Sequence, residues 1–241
     1  MIKKNINTKF YLLFGLIIIS FLLRLVICYS TGDTTWDGEG VEWGILANSL
    51  TTYKSYSLWH FDDLLVPSVY MPPGYPLLLY LIEIISFNKI NYVNLIIAFQ
   101  IILSTCSVYI FYQINLKLFS QGVSLISSLV FSIFPLNVYM PGQISSITLQ
   151  VFLSLLFLLF LFLIIQKQTQ KNIIFFSIVS GLLILTRGEF IFIFTIIILF
   201  NIFNKKIKLA NLAKIIIIVS LVISPYVIRN YIHFNQIILV K

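Results

Sequence analysis

Charge is what this chain has least of. Asp, Glu, Lys and Arg together supply 10% of its 241 residues, and only eight of them are carboxylates. A soluble domain carries about a quarter of its residues as charge, so a water-facing globular surface is excluded. Cysteines number two, Cys28 and Cys106, both inside apolar runs and without ligand spacing, which leaves neither a disulfide framework nor a zinc knuckle. Histidines also number two, and although His60 stands close to Asp62 and Asp63, no second pair of ligands accompanies them, so no metal site is assigned. Internal repeats and low-complexity linkers are absent. The basic residues leave a net charge of +8, but they fall in short clusters between apolar runs rather than along one face. That distribution reads as a topology signal and gives no basis for a nucleic-acid partner.

What the chain has in abundance is hydrophobicity: 59% apolar residues, 16% aromatic and a mean hydropathy of +1.00. The composition predicts an all-α, polytopic membrane protein. Apolar runs stand at about 10–29, 92–115, 120–139, 149–166, 172–186, 190–203 and 211–228, giving seven helices. Lys3, Lys4 and Lys9 precede the first, Phe10 to Tyr29, which is too long for a signal-peptide core and reads as a retained anchor. Residues 75–87, "YPLLLYLIEIISF", are apolar but short, carry Glu83 and follow Pro72 and Pro73. At about 1.5 Å per residue they do not cover a core of about 30 Å.

Lysine placement decides how that segment is read. If it does not cross, Lys3, Lys4, Lys9, Lys117, Lys167, Lys171, Lys205, Lys206, Lys208 and Lys214 all fall on or at the edge of the inner side, as the positive-inside rule requires. The N-terminus is then cytoplasmic, the C-terminus outside, and residues 75–87 form a re-entrant or interfacial helix. The first outer loop, about residues 30 to 91, then holds seven of the eight acids with Trp36, Trp43 and Trp59.

Within that loop, "WDGEGVEWGILANSL", residues 36–50, concentrates Asp37, Glu39 and Glu42 in six positions. A helix from Gly38 would be capped by Asp37 and would carry Glu39 and Glu42 on one face. Two readings stand. The acids complement the helix dipole, or they form a site in which a cation, a proton or a substrate hydroxyl relieves their repulsion. "PSVYMPPGYPLLLY", residues 67–80, has prolines that fix the backbone and end any helix before Tyr75, making a rigid hinge. Arg24, Arg187 and Arg229 are predicted near outer helix ends. Each either snorkels to the headgroups or, with His233, binds an anionic group such as a phosphate.

The order of the pieces carries a resemblance. "FLLRLV", "GEGVEWGILANSL", "PPGYPLLL", "FPLNVYMPGQISSITLQ", "GLLILTRGEFIF" and "SPYVIRNYIHFNQIILVK" run over essentially the whole chain. In that order they resemble the GT-C membrane glycosyltransferases, and more narrowly the protein-mannosyltransferase-like and RgtA/B/C/D-like branch in glycosyltransferase families 39 and 83. The resemblance implies a sugar moved with inversion from a polyprenyl-phosphate carrier to a hydroxyl acceptor on a lipid, glycan or protein, outside the cell membrane. A first-loop carboxylate would be the general base. The family's D-x-x-E-Y pattern falls on Glu39 to Trp43, and a G-x-E-x-G-x-x-A variant falls on Gly40, Glu42, Gly44 and Ala47, so Glu42, Glu39 and Asp37 are the catalytic candidates. Arg187, Arg229 and His233 are the candidates for the donor phosphate. No cofactor is implied beyond the donor lipid, and a divalent metal is left open. The acid that relatives place near the start of the fourth helix falls here on Ile147. The chain reads as a short member, lacking the C-terminal helices and outer domain of relatives: a fragment, a split enzyme with a partner supplying that part, or an inactive remnant. The rival class is a transporter or a non-catalytic membrane subunit, for which no ionisable group near a helix midpoint speaks.

Overall fold

The structure, a computed structural model, describes the backbone of residues 2–31, 41–61, 64–86 and 92–240 and the side chains of residues 11–31, 42–58, 66–86 and 92–240. Helix α1 (Ile2–Thr31) leads to a short helix α2 (Val41–Tyr53), strands β1 (Ser57–Phe61) and β2 (Leu64–Pro67), and helix α3 (Gly74–Ser86). Then come α4 (Tyr92–Asn115), α5 (Gln121–Ile133), α6 (Pro135–Tyr139), a 3₁₀ turn over Met140–Gly142, α7 (Ile147–Gln166), α8 (Gln170–Thr186), α9 (Phe190–Asn204) and α10 (Leu209–Phe234). Each apolar run of the sequence falls on one of these helices, except that at 120–139, which is divided between α5 and α6. By length and composition α1, from Tyr11 on, α4, α7 and α10 can each cross a membrane, and α5 with α6 and the 3₁₀ turn is a bent pair that suits either a fifth, broken span or a re-entrant loop. Helices α8 and α9, with 17 and 15 residues, are shorter, about 26 and 22 Å against a core of about 30 Å. The chain is an all-α polytopic membrane protein.

Both ends of the helix cluster are identifiable from contacts. At one end the α4–α5, α7–α8 and α9–α10 links meet: Lys117 donates to Gln166 at 3.2 Å, Gln168 donates to the Lys206 carbonyl at 2.9 Å and accepts from the Lys208 amide at 3.1 Å. At the other end the last turn of α1 meets the first turn of α4, where the Tyr29 hydroxyl donates to the Asn94 carbonyl at 3.3 Å. The chain between α1 and α4, α3 included, therefore leaves and rejoins the cluster at the same end. Thr51 on α2 donates to Glu83 on α3 at 2.8 Å, which gives that carboxylate a local partner.

The run at 120–139 is not one helix. It breaks at Phe134, whose φ of −60° and ψ of 124° are the extended geometry a following proline imposes, and the two pieces meet at 63°. A break in an apolar environment strands carbonyls that water cannot reach. Pro135 has no N–H for Phe131, and the Asn137 side-chain amide takes that oxygen at 3.1 Å. The Ser132 carbonyl is taken by Arg24 at 3.1 Å. Arg24 does not snorkel. It is fully buried, and besides Ser132 it donates to Ser104 Oγ at 2.7 Å, to the Ser20 carbonyl at 3.1 Å and to the Ser20 hydroxyl. Buried Ser124, Ser128 and Ser132 along α5 keep their hydroxyls on their own helix at 2.8–2.9 Å, so small side chains face the neighbouring helices.

A second buried amide joins α4 to both the short helices and the 3₁₀ turn. Gln100 accepts from the Tyr75 hydroxyl at 3.0 Å and donates to the Pro141 and Gln143 carbonyls at 3.0 and 2.8 Å. Tyr75 in turn stands edge-on to Trp43 of α2, centroids 5.4 Å apart. Gly74 sits where a Cβ would come within 2.6 Å of Thr186 Oγ1 and 2.9 Å of the Leu185 carbonyl, so α3 starts in direct contact with the end of α8. Phe176, Leu183, Ile184 and Ile215 are the centre of the larger core, shared by α7, α8 and α10.

Two stability predictions follow from these contacts. Arg24→Met removes the donor from Ser132 and Ser104, and a stranded buried acceptor costs about 1–3 kcal/mol. Gly74→Ala forces the α3–α8 contact apart, at about 1–3 kcal/mol for overpacking. Unfolding midpoints in detergent should fall for both, and an unchanged midpoint for either would refute that contact's role.

Candidate functional site

At the end of the cluster where α1 meets α4, α2, the link between β2 and α3, and the α8–α9 link enclose a cavity of about 560 Å³. Trp43 of α2 forms one wall, Tyr70, Met71 and Pro72 of the proline-rich link another, and Arg187, Gly188 and Glu189 a third. Ile191 and Phe192 of α9 and Val240 of the C-terminal tail complete it. Each wall has a local reason for its position. The link is fixed by the Tyr56 hydroxyl, which donates to the Met71 carbonyl at 2.8 Å. Trp43 is fixed by Tyr75 and Gln100. Arg187 follows the last residue of α8 in an extended conformation, φ −146° and ψ 111°, and its amide closes the helix by donating to the Leu183 carbonyl at 2.9 Å. Its side chain is then free to leave the helix.

The three arginines of the sequence reading have three different environments. Arg24 is bound inside the cluster by neutral oxygens. Arg229, near the end of α10, makes three hydrogen bonds: to the Ser68 carbonyl at 2.7 Å, to the Tyr56 carbonyl at 2.7 Å and to Asn230 Oδ1 at 2.9 Å. Its guanidinium carbon also lies 5.4 Å from the Tyr56 ring and 5.7 Å from that of Phe234. It fastens the base of the β1–β2 hairpin to α10. Arg187 lines the cavity, and its Nε is buried with no hydrogen-bond partner among the described residues. Arg24 Nη2 is likewise buried without a partner, so what sets Arg187 apart is its place in the cavity wall. His233 is exposed in the last turn of α10, against Phe234, and does not line the cavity.

Of the acids, Asp37 and Glu39 lie outside the described residues, as do Asp33, Asp62 and Asp63. Glu42 is half-buried in the first turn of α2, which begins at Val41 among the described residues, and it immediately precedes the cavity-lining Trp43. Glu189 was not singled out by sequence reasoning, although "LTRGE" contains it. It is exposed at the start of α9 and lines the cavity two residues from Arg187. The hairpin was missed as well. Ser57 pairs with Pro67 and Phe61 with Leu64, antiparallel. Among the described residues no three His, Cys, Asp or Glu side chains gather as a metal site. The Tyr56 phenol is pushed well above the usual tyrosine value, chiefly by burial and then by neighbouring Tyr226, so it stays a neutral donor to Met71.

The helices and the cavity define a polytopic membrane protein with a polar pocket, lined by Arg187 and Glu189, at one end of the helix cluster. The sequence profile of the dolichyl-phosphate-mannose-protein mannosyltransferase family matches residues 71–228, about two-thirds of the chain, and the chain belongs to that family. The matched part runs from Met71 to Ile228, so it contains the end of the proline-rich link, Arg187 and Glu189, but neither α2 nor Arg229. No curated protein matches the chain.

Arg229→Gln should leave two carbonyls of the hairpin base unpaired. The expected outcome is faster limited proteolysis within residues 54–73 and a loss of about 1–3 kcal/mol in stability, whereas Arg187→Gln should change neither. Equal protease resistance in parent and Arg229→Gln would refute the fastening role.

Proposed function

We propose that the protein transfers a sugar from a polyprenyl-phosphate carrier to a hydroxyl acceptor, with inversion, on the non-cytoplasmic face of the membrane. The observation that supports it best is the unpartnered, buried Nε of Arg187 in the wall of a 560 Å³ cavity at a helix end. A phosphate supplies the acceptor oxygens that this donor lacks. Arginine suits the task because it stays charged and presents forked donors. In this reading Arg229 contributes by holding the loop, and His233, exposed on α10, is not among the residues that line the cavity.

The step is an in-line displacement. The acceptor oxygen forms a bond to C1 of the sugar as the bond from C1 to the phosphate oxygen breaks. The electron pair leaves with the lipid phosphate, where Arg187 offsets the developing charge, and the hydroxyl proton passes to a carboxylate. Glu42 is the leading base because it is supported by both pattern alignments and stands next to the cavity wall at Trp43, with Glu39 second and Asp37 serving as helix cap. A base of this kind contributes about 10² to 10⁴ in rate. Glu42→Gln keeps the shape and cannot take the proton. Transfer from a labelled polyprenyl-phosphate sugar in membranes should drop by that factor with protein abundance unchanged. If Glu42→Gln and Glu39→Gln both retain full transfer, the base lies elsewhere. Glu189→Gln is the comparison to make in the same assay.

Orientation is tested separately. The Lys117 and Lys206 end should face the cytoplasm under the positive-inside rule, with the cavity outside. Single cysteines beside Lys117 or Lys205 should resist an impermeant thiol reagent in intact cells, and one at Tyr70 should react. The reverse pattern would place the cavity inside and refute the proposed face.

A further inference from the structure

The end of the cluster opposite the Arg187 cavity gathers lysines. Lys167 and Lys171 flank the start of α8, Lys205 and Lys206 follow α9, Lys208 and Lys214 stand at the start of α10, and all of them are exposed. One side chain fixes their relative places. Gln168 donates to the Lys206 carbonyl at 2.9 Å and accepts from the Lys208 amide at 3.1 Å and from Asn211 Nδ2 at 2.8 Å, so the α7–α8 and α9–α10 links are pinned into one platform. Ile207, between the lysines of the second link, is buried and anchors that link to the core.

No described carboxylate balances this charge. Glu42, Glu83 and Glu189 belong to α2, α3 and the α8–α9 link, at the other end of the cluster. Lys214 donates to Gln170 Oε1 at 3.4 Å, a neutral partner. Helix dipoles do not account for the lysines either, because Lys171 lies in the first turn of α8 and Lys208 caps the start of α10, where the dipole disfavours a cation. Apolar neighbours set the level of the platform. Phe203 in the last turn of α9 is 81% exposed and Leu209 at the start of α10 is 74% exposed. Apolar side chains this open belong in lipid, so the lysines beside them stand among the headgroups.

We propose that this platform is a binding surface for anionic phospholipid headgroups in the leaflet it faces. It lies apart from the Arg187 cavity and does not depend on the reading of that site. A zwitterionic headgroup brings its own cation to the lysines, whereas an anionic one brings uncompensated phosphate, and the depth of the platform favours a lipid over a soluble anion. A lysine close to such headgroups is worth about fivefold in affinity, and the pinning by Gln168 lets neighbouring lysines act on one headgroup together.

The test counts lipids on the purified full chain. The protein in detergent is titrated with phosphatidylglycerol and with phosphatidylcholine of the same chains, and bound lipid is read by native mass spectrometry. The parent is expected to prefer phosphatidylglycerol by at least about tenfold, and the double variant Lys206→Gln/Lys208→Gln should lose at least about fivefold of that preference. Both lysines are exposed, so the loss is not one of packing. Lys3→Gln/Lys4→Gln removes the same charge elsewhere and should stay within about twofold of the parent, while Gln168→Leu removes no charge and should lose at least about threefold. A parent ratio near unity, equal losses in the two double variants, or a Gln168→Leu protein with the parent's preference would each overturn the platform, the last two by showing a diffuse effect of net charge. Displacement of the lipid by inorganic phosphate at comparable concentration would overturn it by showing a soluble anion's site. Cross-linking of a photoreactive residue at position 206 to another polypeptide in native membranes, and not to lipid, would overturn it by showing a protein partner there.

Discussion

The fold depends on how a helix can break inside an apolar cluster. Pro135 ends α5 and strands carbonyls that the bilayer cannot solvate. The structure answers with two side chains, the Asn137 amide on Phe131 and the Arg24 guanidinium on Ser132. Using a cation for this is costly, and Arg24 offsets the cost in part: its Nε reaches Ser104 on α4 and its Nη1 reaches Ser20 on its own helix, while its Nη2 is buried without a partner among the described residues. One buried charge thereby sets the spacing of α1, α4 and α5. Ser104 extends the same network by donating to the Asn137 carbonyl at 3.1 Å, and Cys28, one turn after Arg24, donates to the Val138 carbonyl at 3.3 Å. The bent span is held open at its corner by hydrogen bonds rather than by packing alone.

From that corner the constraint passes to the site. The 3₁₀ turn and the residues after it are anchored by Gln100, which also holds Tyr75, and Tyr75 sets the plane of Trp43. On the opposite wall Gly74 lets α3 touch the last turn of α8, so the end of α8 and the start of α3 are fixed relative to each other within a few ångströms. Arg187 leaves α8 directly beyond that contact. Its position is thus determined by backbone packing, while its guanidinium keeps an unmatched nitrogen. The Arg229 bonds to Tyr56 and Ser68 hold the third wall through the hairpin base. A cavity built from three separately tethered pieces can keep its shape without a covalent link between them, which is what a chain with two unpaired cysteines requires.

Much of this was legible in the sequence, for physical reasons that can be stated. Apolar runs of helical length appear as helices, because in lipid no other open structure satisfies the backbone. The family resemblance drawn from six ordered motifs agrees with the profile match over residues 71–228. Residues 75–87 were too short to span, and α3 occupies Gly74–Ser86. What stayed hidden depended on contacts distant in sequence. Phe134-Pro135 was a visible breaker, yet the hydropathy around it hid the 63° bend. The hairpin was hidden because "SLWHF" and "LLVP" are too short to show a period. Its structural role appears only with Arg229, 161 residues from Ser68.

The same limit explains why three arginines that look alike in sequence end with different chemistry. Each follows or interrupts an apolar run, and each could snorkel. What separates them is the supply of free oxygens around each guanidinium. At Arg24 a broken helix and two serines occupy Nε and Nη1, leaving Nη2 alone without a partner deep inside the cluster, and at Arg229 an irregular loop provides the oxygens. At Arg187 the helix closes normally, with the Leu183 carbonyl taken by the Arg187 amide at 2.9 Å and the Arg187 carbonyl by the Phe190 amide at 3.2 Å, and its Nε has no partner among the described residues. A cation that backbone does not satisfy is available to a ligand. In a wall of low polarity, where water competes poorly, its attraction for an anion is correspondingly stronger.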